Sequence, residues 1–401
     1  MMKMNNEVIF AAAGNGKTYS ICKEAIHLAT KTNKYVLIIT YTNEGVRSIE
    51  KEYRLQNYGV IDKNVVIKTW YSFLLTELIK PYQRLLKLKY KHYKQEFTFP
   101  LGENYIKSIA FYQDETIPRW YNAAHVQFYL NSARDLRKDN VSRLACCCIE
   151  HSENKVIERL SEIYSHIFID ELQDYAGWDL EIFLSLFNSD LTVKCVGDHK
   201  QATFRTNNSL KHKQYRDDKI KDFFVLQEKN GLCSIFHDNY TRRFNQPICT
   251  FVNTLHNDIE CATQPSPECS ANNDCAENSG VFIIDVCHLE DYCNHYSPTI
   301  LHYKRDSKIP FNHSCQIFNY GNSKGATFER VVIVPVGTVL PFLTEEKAIK
   351  ADQTRAKFYV ACTRARHSIV FAIPKAKETI CFKSTQLTFG DKAIPAYQYL
   401  T

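Results

Sequence analysis

The chain has 401 residues, 44% hydrophobic and 23% charged, and its 50 basic and 44 acidic side chains leave a net charge of +6. That length holds two or three domains with cores of their own, and the composition is that of a globular protein, which excludes a low-complexity or disordered chain. The mild positive charge permits a polyanionic partner without demanding one, and no apolar run reaches the ~20 residues of a membrane span. MMKMNNEVIF leads straight into a glycine-bearing loop and leaves no room for a cleavable signal, so a cytoplasmic location and no membrane partner are expected. The 15 cysteines then read as reduced thiols. None stands in a C-x-x-C pair, and Cys261, Cys269 and Cys275 lack the spacing of a metal cluster.

In chain order, Val8–Ile9–Phe10 reads as a short strand entering AAAGNGKT, residues 11–18, and the apolar spacing from Thr18 onward is helical. Strand, loop and helix in that order make a phosphate-binding loop of Ala11, Ala12, Ala13, Gly14, Asn15, Gly16, Lys17 and Thr18. Gly14 and Gly16 let the backbone aim N–H groups at a phosphate, Lys17 brings a cation, and Thr18 offers a hydroxyl to Mg²⁺. Tyr35–Thr40 and Val65–Lys68 are the next strands.

Residues 80–160 break the alternation, being lysine- and tyrosine-rich and then helical, and are expected to form a helical insertion. Within it, KPYQRLLKLKYKHYK interleaves Lys80, Arg84, Lys87, Lys89, Lys91 and Lys94 with Tyr82, Tyr90 and Tyr93. That run reads equally as an electrostatic track with stacking rings or as a solvated helix face.

The apolar run Ile167–Phe168–Ile169 ends in DELQD, placing Asp170 and Glu171 at the end of a buried strand, where a metal-holding acid and a water-activating base are needed. Further strands fall at Leu191–Val196, Val281–Val286, Val331–Val334 and Ser368–Ala372. Alternating strands and helices give an α/β fold with parallel sheets. Residues 256–280, polar and with two prolines, read as a loop. The domain expectation is a first α/β domain over 1–79 and 161–230 carrying 80–160, and a second over 231–401.

The motifs also arrive in the order of one family. The chain resembles the superfamily 1 DNA helicases of the UvrD/Rep type. VLIITYTN at 36–43, TWYSFL at 69–74, DELQD at 170–174 and GDHKQATFR at 197–205 resemble the family's motifs in sequence. So do NYTRRFNQPI at 239–248, SKGATFERV at 323–331 and FYVACTRAR at 358–366. The resemblance implies two RecA-like domains, with ATP and Mg²⁺ as cofactors and single-stranded or double-stranded DNA as partner. It implies 3′→5′ movement on single strands.

It also assigns roles. Lys17, Asp170 and Glu171 act in hydrolysis, Thr18 and Asp170 hold the metal, and Gln173 and Gln201 sense the γ-phosphate and the attacking water. Arg243 and Arg364 are the arginine fingers, Arg243 being favoured over Arg242 by its spacing from Ile248. Lys324 and Gly325 belong to the nucleotide motif. Thr40, Tyr41, Thr42, Asn43, Trp70, Tyr71, Phe204 and Ser323 are the DNA contacts, although core packing is the competing reading for Trp70 and Tyr71. The departures are specific: no adenine-reading glutamine precedes the loop, Thr327 replaces an acid, and Thr206 replaces a tryptophan. The large second insertion is almost absent between Ile248 and Ser323. Compact helicases of this kind are often encoded beside nucleases in anti-phage systems, so a DNA-sensing subunit with a partner nuclease or ATPase is the alternative reading.

Overall fold

The computed structural model describes residues 6–90, 96–99, 105–111, 117, 120–256, 258–269, 276–303 and 314–400. Contacts divide the chain into two compact units. One comprises the chain up to Ile9, Lys17–Gly197 and Phe204–Phe236; the other comprises Phe10–Gly16, Asp198–Thr203 and His237–Thr401. The units differ from the expected domains in three places: Phe10–Gly16 and Asp198–Thr203 group with the second unit, and residues 231–236 with the first.

The first unit is built on a six-stranded sheet in the order Ser234–Asp238, Glu7–Ala11, Thr192–Gly197, Tyr164–Ile169, Tyr35–Thr40, Val65–Thr69. Its last four strands are parallel, with Val66, Leu37, Ile167 and Val193 in register across the sheet. Val36, Leu37, Ile38 and Ile39 are all fully buried, as a parallel strand covered on both faces requires. One strand, Thr192–Gly197, separates the loop strand from the acid-bearing strand.

The expectation of a helical insertion over 80–160 is corrected. Among the described residues, helices longer than one turn begin only at Val141–His151 and Lys155–Ile163. Before them lie a 3₁₀ turn at Gln83–Leu85 and the two-residue strand Leu88–Lys89, paired antiparallel with Glu96–Phe97. Ile109–Ala110 pairs in parallel with Leu136–Arg137. The reason is visible at residues 86–89, where Leu86 and Leu88 are buried while Lys87 and Lys89 are exposed: an alternation of period two, which suits a strand. Over residues 80–90 the basic run is therefore not a helix face, and Lys91, Tyr93 and Lys94 lie outside the described residues.

The second unit carries a seven-stranded sheet in the order Ile317–Asn319, Thr299–His302, Phe328–Val334, Ala365–Ile373, Gly280–Asp285, Lys392–Tyr399, Phe382–Phe389. The first five strands are parallel and the last two form an antiparallel hairpin. Its core gathers Phe251, Phe358, Phe371 and Phe382. In the loop expected at 256–280, the described residues include the short strand Gln264–Pro265, parallel to Tyr240–Thr241.

Candidate nucleotide site

In the first unit the acids stand where the strand Tyr164–Ile169 ends. The Asp170 amide donates to the Ile39 carbonyl across 2.8 Å, and Asp170 Oδ1 accepts the Glu171 amide at 2.9 Å, which fixes the carboxylate of Asp170. Glu171 takes a left-handed conformation (φ 57°), a strain of order 1 kcal/mol that tends to be kept where a side chain must be aimed. Gln173 donates from Nε2 to the Glu171 carboxylate in a very short hydrogen bond. A Cβ at Gly197 would lie 2.5 Å from Gln173 Oε1, so only glycine leaves room for that amide. Lys17 and Thr18, both half-buried, open the helix Lys17–Ala29, whose first N–H groups and dipole favour an anion. Cys22 on that helix has its thiol pushed up to about 12 by burial, with the charges of Glu52 and Asp170 adding to it. That thiol stays protonated at neutral pH.

In the second unit the loop residues Ala12–Asn15 are laced to the segment after Asp238. The Ala12 amide donates to Asp238 O at 2.9 Å, Thr241 Oγ1 to Ala13 O at 2.7 Å, the Arg242 amide to Gly14 O at 3.0 Å, and Asn15 Nδ2 to Tyr240 O at 2.9 Å. Gly14 has φ +74°, and a Cβ there would meet Arg243 Cβ at 2.5 Å and Thr241 Oγ1 at 2.8 Å. Arg243 therefore packs directly on the loop, and its Nη1 donates to Thr363 O at 2.9 Å. Arg242 is exposed and faces Glu268 across 3.7 Å.

Arg364 is almost wholly buried. Its Nε donates to Val360 O at 2.8 Å, Nη1 to Ala326 O at 3.2 Å, and Nη2 to both Thr363 Oγ1 at 3.0 Å and Gln201 Oε1 at 3.2 Å. Gln201 in turn donates from Nε2 to Asp198 Oδ2 at 2.8 Å, where the Tyr359 hydroxyl also donates at 3.3 Å. Burial, and then the Asp198 charge, push the Tyr359 phenol well up, so it remains a donor. Thr363, which the motif pattern did not single out, touches both arginines.

The S-K-G turn is held by the same guanidinium. Ser323 is buried with Oγ donating to Tyr320 O at 2.8 Å, Lys324 is half-buried, and Gly325 is exposed at φ +86°. Arg364 reaches this turn through Ala326 O.

Tyr240 is a further residue that the motif pattern did not single out. Its ring is 48% exposed and lines, with Asn15, Arg242, Ser266 and Pro267, a cavity of about 330 Å³ beside the loop. An aromatic one residue after Asn239 in the NYTRR stretch was the available signal.

The proposed nucleic-acid contacts divide by exposure. Thr42 and Asn43 are exposed, although Thr42 also caps the helix Asn43–Gln56 by accepting the Gly45 amide at 2.9 Å. Phe204 is 43% exposed and Tyr41 half-buried. Thr40, Ser323, Trp70 and Tyr71 are buried. The Trp70 ring stacks on Phe183 at 5.7 Å and meets Tyr175 edge-on, while its Nε1 donates to buried Asp179 at 2.7 Å. The Tyr71 hydroxyl donates to Thr206 O at 2.5 Å. Trp70 and Tyr71 are packing residues in this structure, with no face open to a base.

Residues 78–212 match the family model of the UvrD/REP helicase N-terminal domain. That stretch includes Asp170, Glu171, Gln173 and Gln201. Among curated proteins, none matches the chain. Solved structures similar to it include the PRRSV helicase, 13% identical over 98% of this chain and 59% of that one, with a TM-score of 0.45. Arterivirus nonstructural protein 10, a helicase, in complex with DNA is 11% identical over 93% of this chain and 62% of that one, with a TM-score of 0.44. The chain thus spans less than two thirds of the length of those helicases.

Proposed function

We propose that the chain, whose residues 78–212 match the family model of the UvrD/REP helicase N-terminal domain, is an ATP-dependent helicase or translocase acting on single-stranded DNA, with 3′→5′ polarity. The observation that carries the reading is the pairing of buried Arg364 with Gln201 at 3.2 Å. Four hydrogen bonds, to Val360 O, Ala326 O, Thr363 Oγ1 and Gln201 Oε1, hold the buried guanidinium in one orientation. Held in place beforehand, it is ready to stabilise charge on a transferring phosphoryl group.

In this reading Glu171, oriented by Gln173, takes the proton of the attacking water. Gln201 positions that water or the γ-phosphate, accepting and donating through one amide. Lys17 and the loop amides neutralise the phosphates, and Arg243 and Arg364 stabilise the charge that develops during transfer. Mg²⁺ would be held by Thr18 and Asp170 and would supply further charge neutralisation. Tyr240 offers an exposed ring for the base, a contact that any purine satisfies and that fits the missing adenine-reading glutamine. Thr42, Asn43, Tyr41 and Phe204 are the nucleic-acid contacts, stacking contributing ~1–3 kcal/mol per base.

The experiment is strand displacement with ATP on duplexes carrying a 3′ or a 5′ single-stranded tail. Displacement from the 3′ tail only supports the reading. Displacement from the 5′ tail removes the polarity, and activity that appears only after a nuclease partner is added favours the DNA-sensing subunit.

A further inference from the structure

Among the described residues, one group outside the nucleotide site has the donors of a metal centre. His199, Asp258 and Cys261 each present a ligand atom, and these atoms lie within 4.8 Å of one another. All three belong to the second unit. His199 Nε2 is 2.8 Å from Asp258 Oδ2, and His237 stands beside them with Nδ1 3.1 Å from Cys261 Sγ. Phe10 packs against both imidazoles, edge-on to His199 at 5.4 Å and stacked on His237 at 6.0 Å.

An ion pair accounts for His199 with Asp258. It does not account for a thiol in the same group. His199 and Cys261 also line a cavity of about 10 Å³ with Phe10 and Lys200, the scale of a single ion or water.

We infer that His199, Asp258 and Cys261, with His237 as fourth ligand, form a structural zinc site. One thiolate and one carboxylate balance the charge of Zn²⁺, and the two neutral imidazoles complete a tetrahedral N, N, O, S set. Thiolate and imidazole select zinc over Mg²⁺, which takes oxygen ligands. Ligand atoms ~2.0–2.3 Å from a tetrahedral zinc stand ~3–4 Å apart, so the 2.8 Å and 3.1 Å pairs would open slightly, while the separations among His199, Asp258 and Cys261 are at most 4.8 Å and would close on the ion.

The site has a consequence for the segment that bears it. His199 follows Asp198, which holds Gln201, and Lys200 Nζ donates to the Cys261 carbonyl at 2.5 Å. Zinc would tie the Gln201 segment to the 258–261 turn as a positioning device without touching the nucleotide. The ligands come from three separate stretches, and only Asp258 and Cys261 are close in sequence. Cysteine spacing alone therefore points away from the site.

The test uses the tag-free full-length protein, so that no purification tag binds metal. Elemental analysis is expected to give about one zinc per chain, and replacement with Co²⁺ to give thiolate-to-cobalt charge-transfer absorption. Cys261→Ser should abolish that absorption and Asp258→Asn should lower the zinc content, whereas Cys287→Ser, at an exposed cysteine elsewhere, keeps both. A folded wild-type protein that stays zinc-free after dialysis against Zn²⁺, or binds Co²⁺ without charge-transfer absorption, overturns the site whatever the variants do. Neither measurement depends on ATP turnover, so the helicase reading is tested separately.

Discussion

Arg364 and Gln201, 163 residues apart in the chain, meet at 3.2 Å inside one compact unit, with the guanidinium almost wholly buried. With Arg364 acting on the transition state as proposed, Arg364→Lys should cut ATP turnover by ~10³-fold or more while ATP affinity stays within about tenfold. Arg364→Ala would also leave Val360 O, Ala326 O and Gln201 Oε1 without this donor, at ~1–3 kcal/mol for each group left unsatisfied, so the lysine variant is the cleaner probe. Single-turnover hydrolysis and nucleotide titration separate the two effects. Collapse of binding with unchanged turnover of bound ATP would make Arg364 a ground-state contact.

The acids give a second prediction. Glu171→Gln should abolish turnover yet retain nucleotide binding, since Asp170 keeps its own hydrogen bonds to the backbone. Lys17→Ala should lose both. A Glu171→Gln protein that hydrolyses ATP at the wild-type rate removes Glu171 as general base.

Gly14 is the third. Its positive φ and the 2.5 Å approach of Arg243 Cβ leave no space for a methyl group, so Gly14→Ala should displace the loop or Arg243 and weaken ATP binding at least about tenfold. Gly59, also at positive φ but with nothing within 4 Å, is the control: Gly59→Ala should cost ~1 kcal/mol of stability and leave ATP affinity alone. Equal reductions of affinity in the two variants would mean that backbone strain, and not the approach of Arg243, governs the loop.

On the nucleic acid, exposure distinguishes stacking from charge. Phe204→Ala should weaken single-stranded DNA binding with little change in its salt dependence, because stacking releases few counterions. Neutralising exposed Arg84, Lys87 and Lys89 together should flatten the log–log salt slope by ~0.7 for each phosphate that is no longer neutralised. Titrations at several salt concentrations, with circular dichroism to check folding, decide it. An unchanged slope leaves the 80–90 run as ordinary solvated surface.

The proposed nucleotide residues can be picked out of the sequence because phosphate chemistry fixes residue types at short spacing. AAAGNGKT and DELQD carry their meaning within a few residues, and the parallel sheets follow from apolar runs such as Val36–Ile39. The segment 80–140 misled because lysine and leucine favour helices individually, whereas the alternation at 86–89 follows a sheet. The C-terminal hairpin was missed although Gly390–Asp391, with Gly390 at φ +57°, is a two-residue turn signal between alternating segments. Trp70 and Tyr71 could not be placed from sequence, since an aromatic looks the same whether it stacks on a base or on Phe183. Their burial depends on Asp179 and Thr206, more than a hundred residues away.

The most direct measurement is the steady-state ATPase rate of the purified protein alone, with and without single-stranded DNA. A motor that couples hydrolysis to movement should be stimulated by at least about tenfold, and the Arg364→Lys variant should show no stimulation. An ATPase rate indifferent to single-stranded DNA at saturating concentration, with the strand demonstrably bound, would contradict the account.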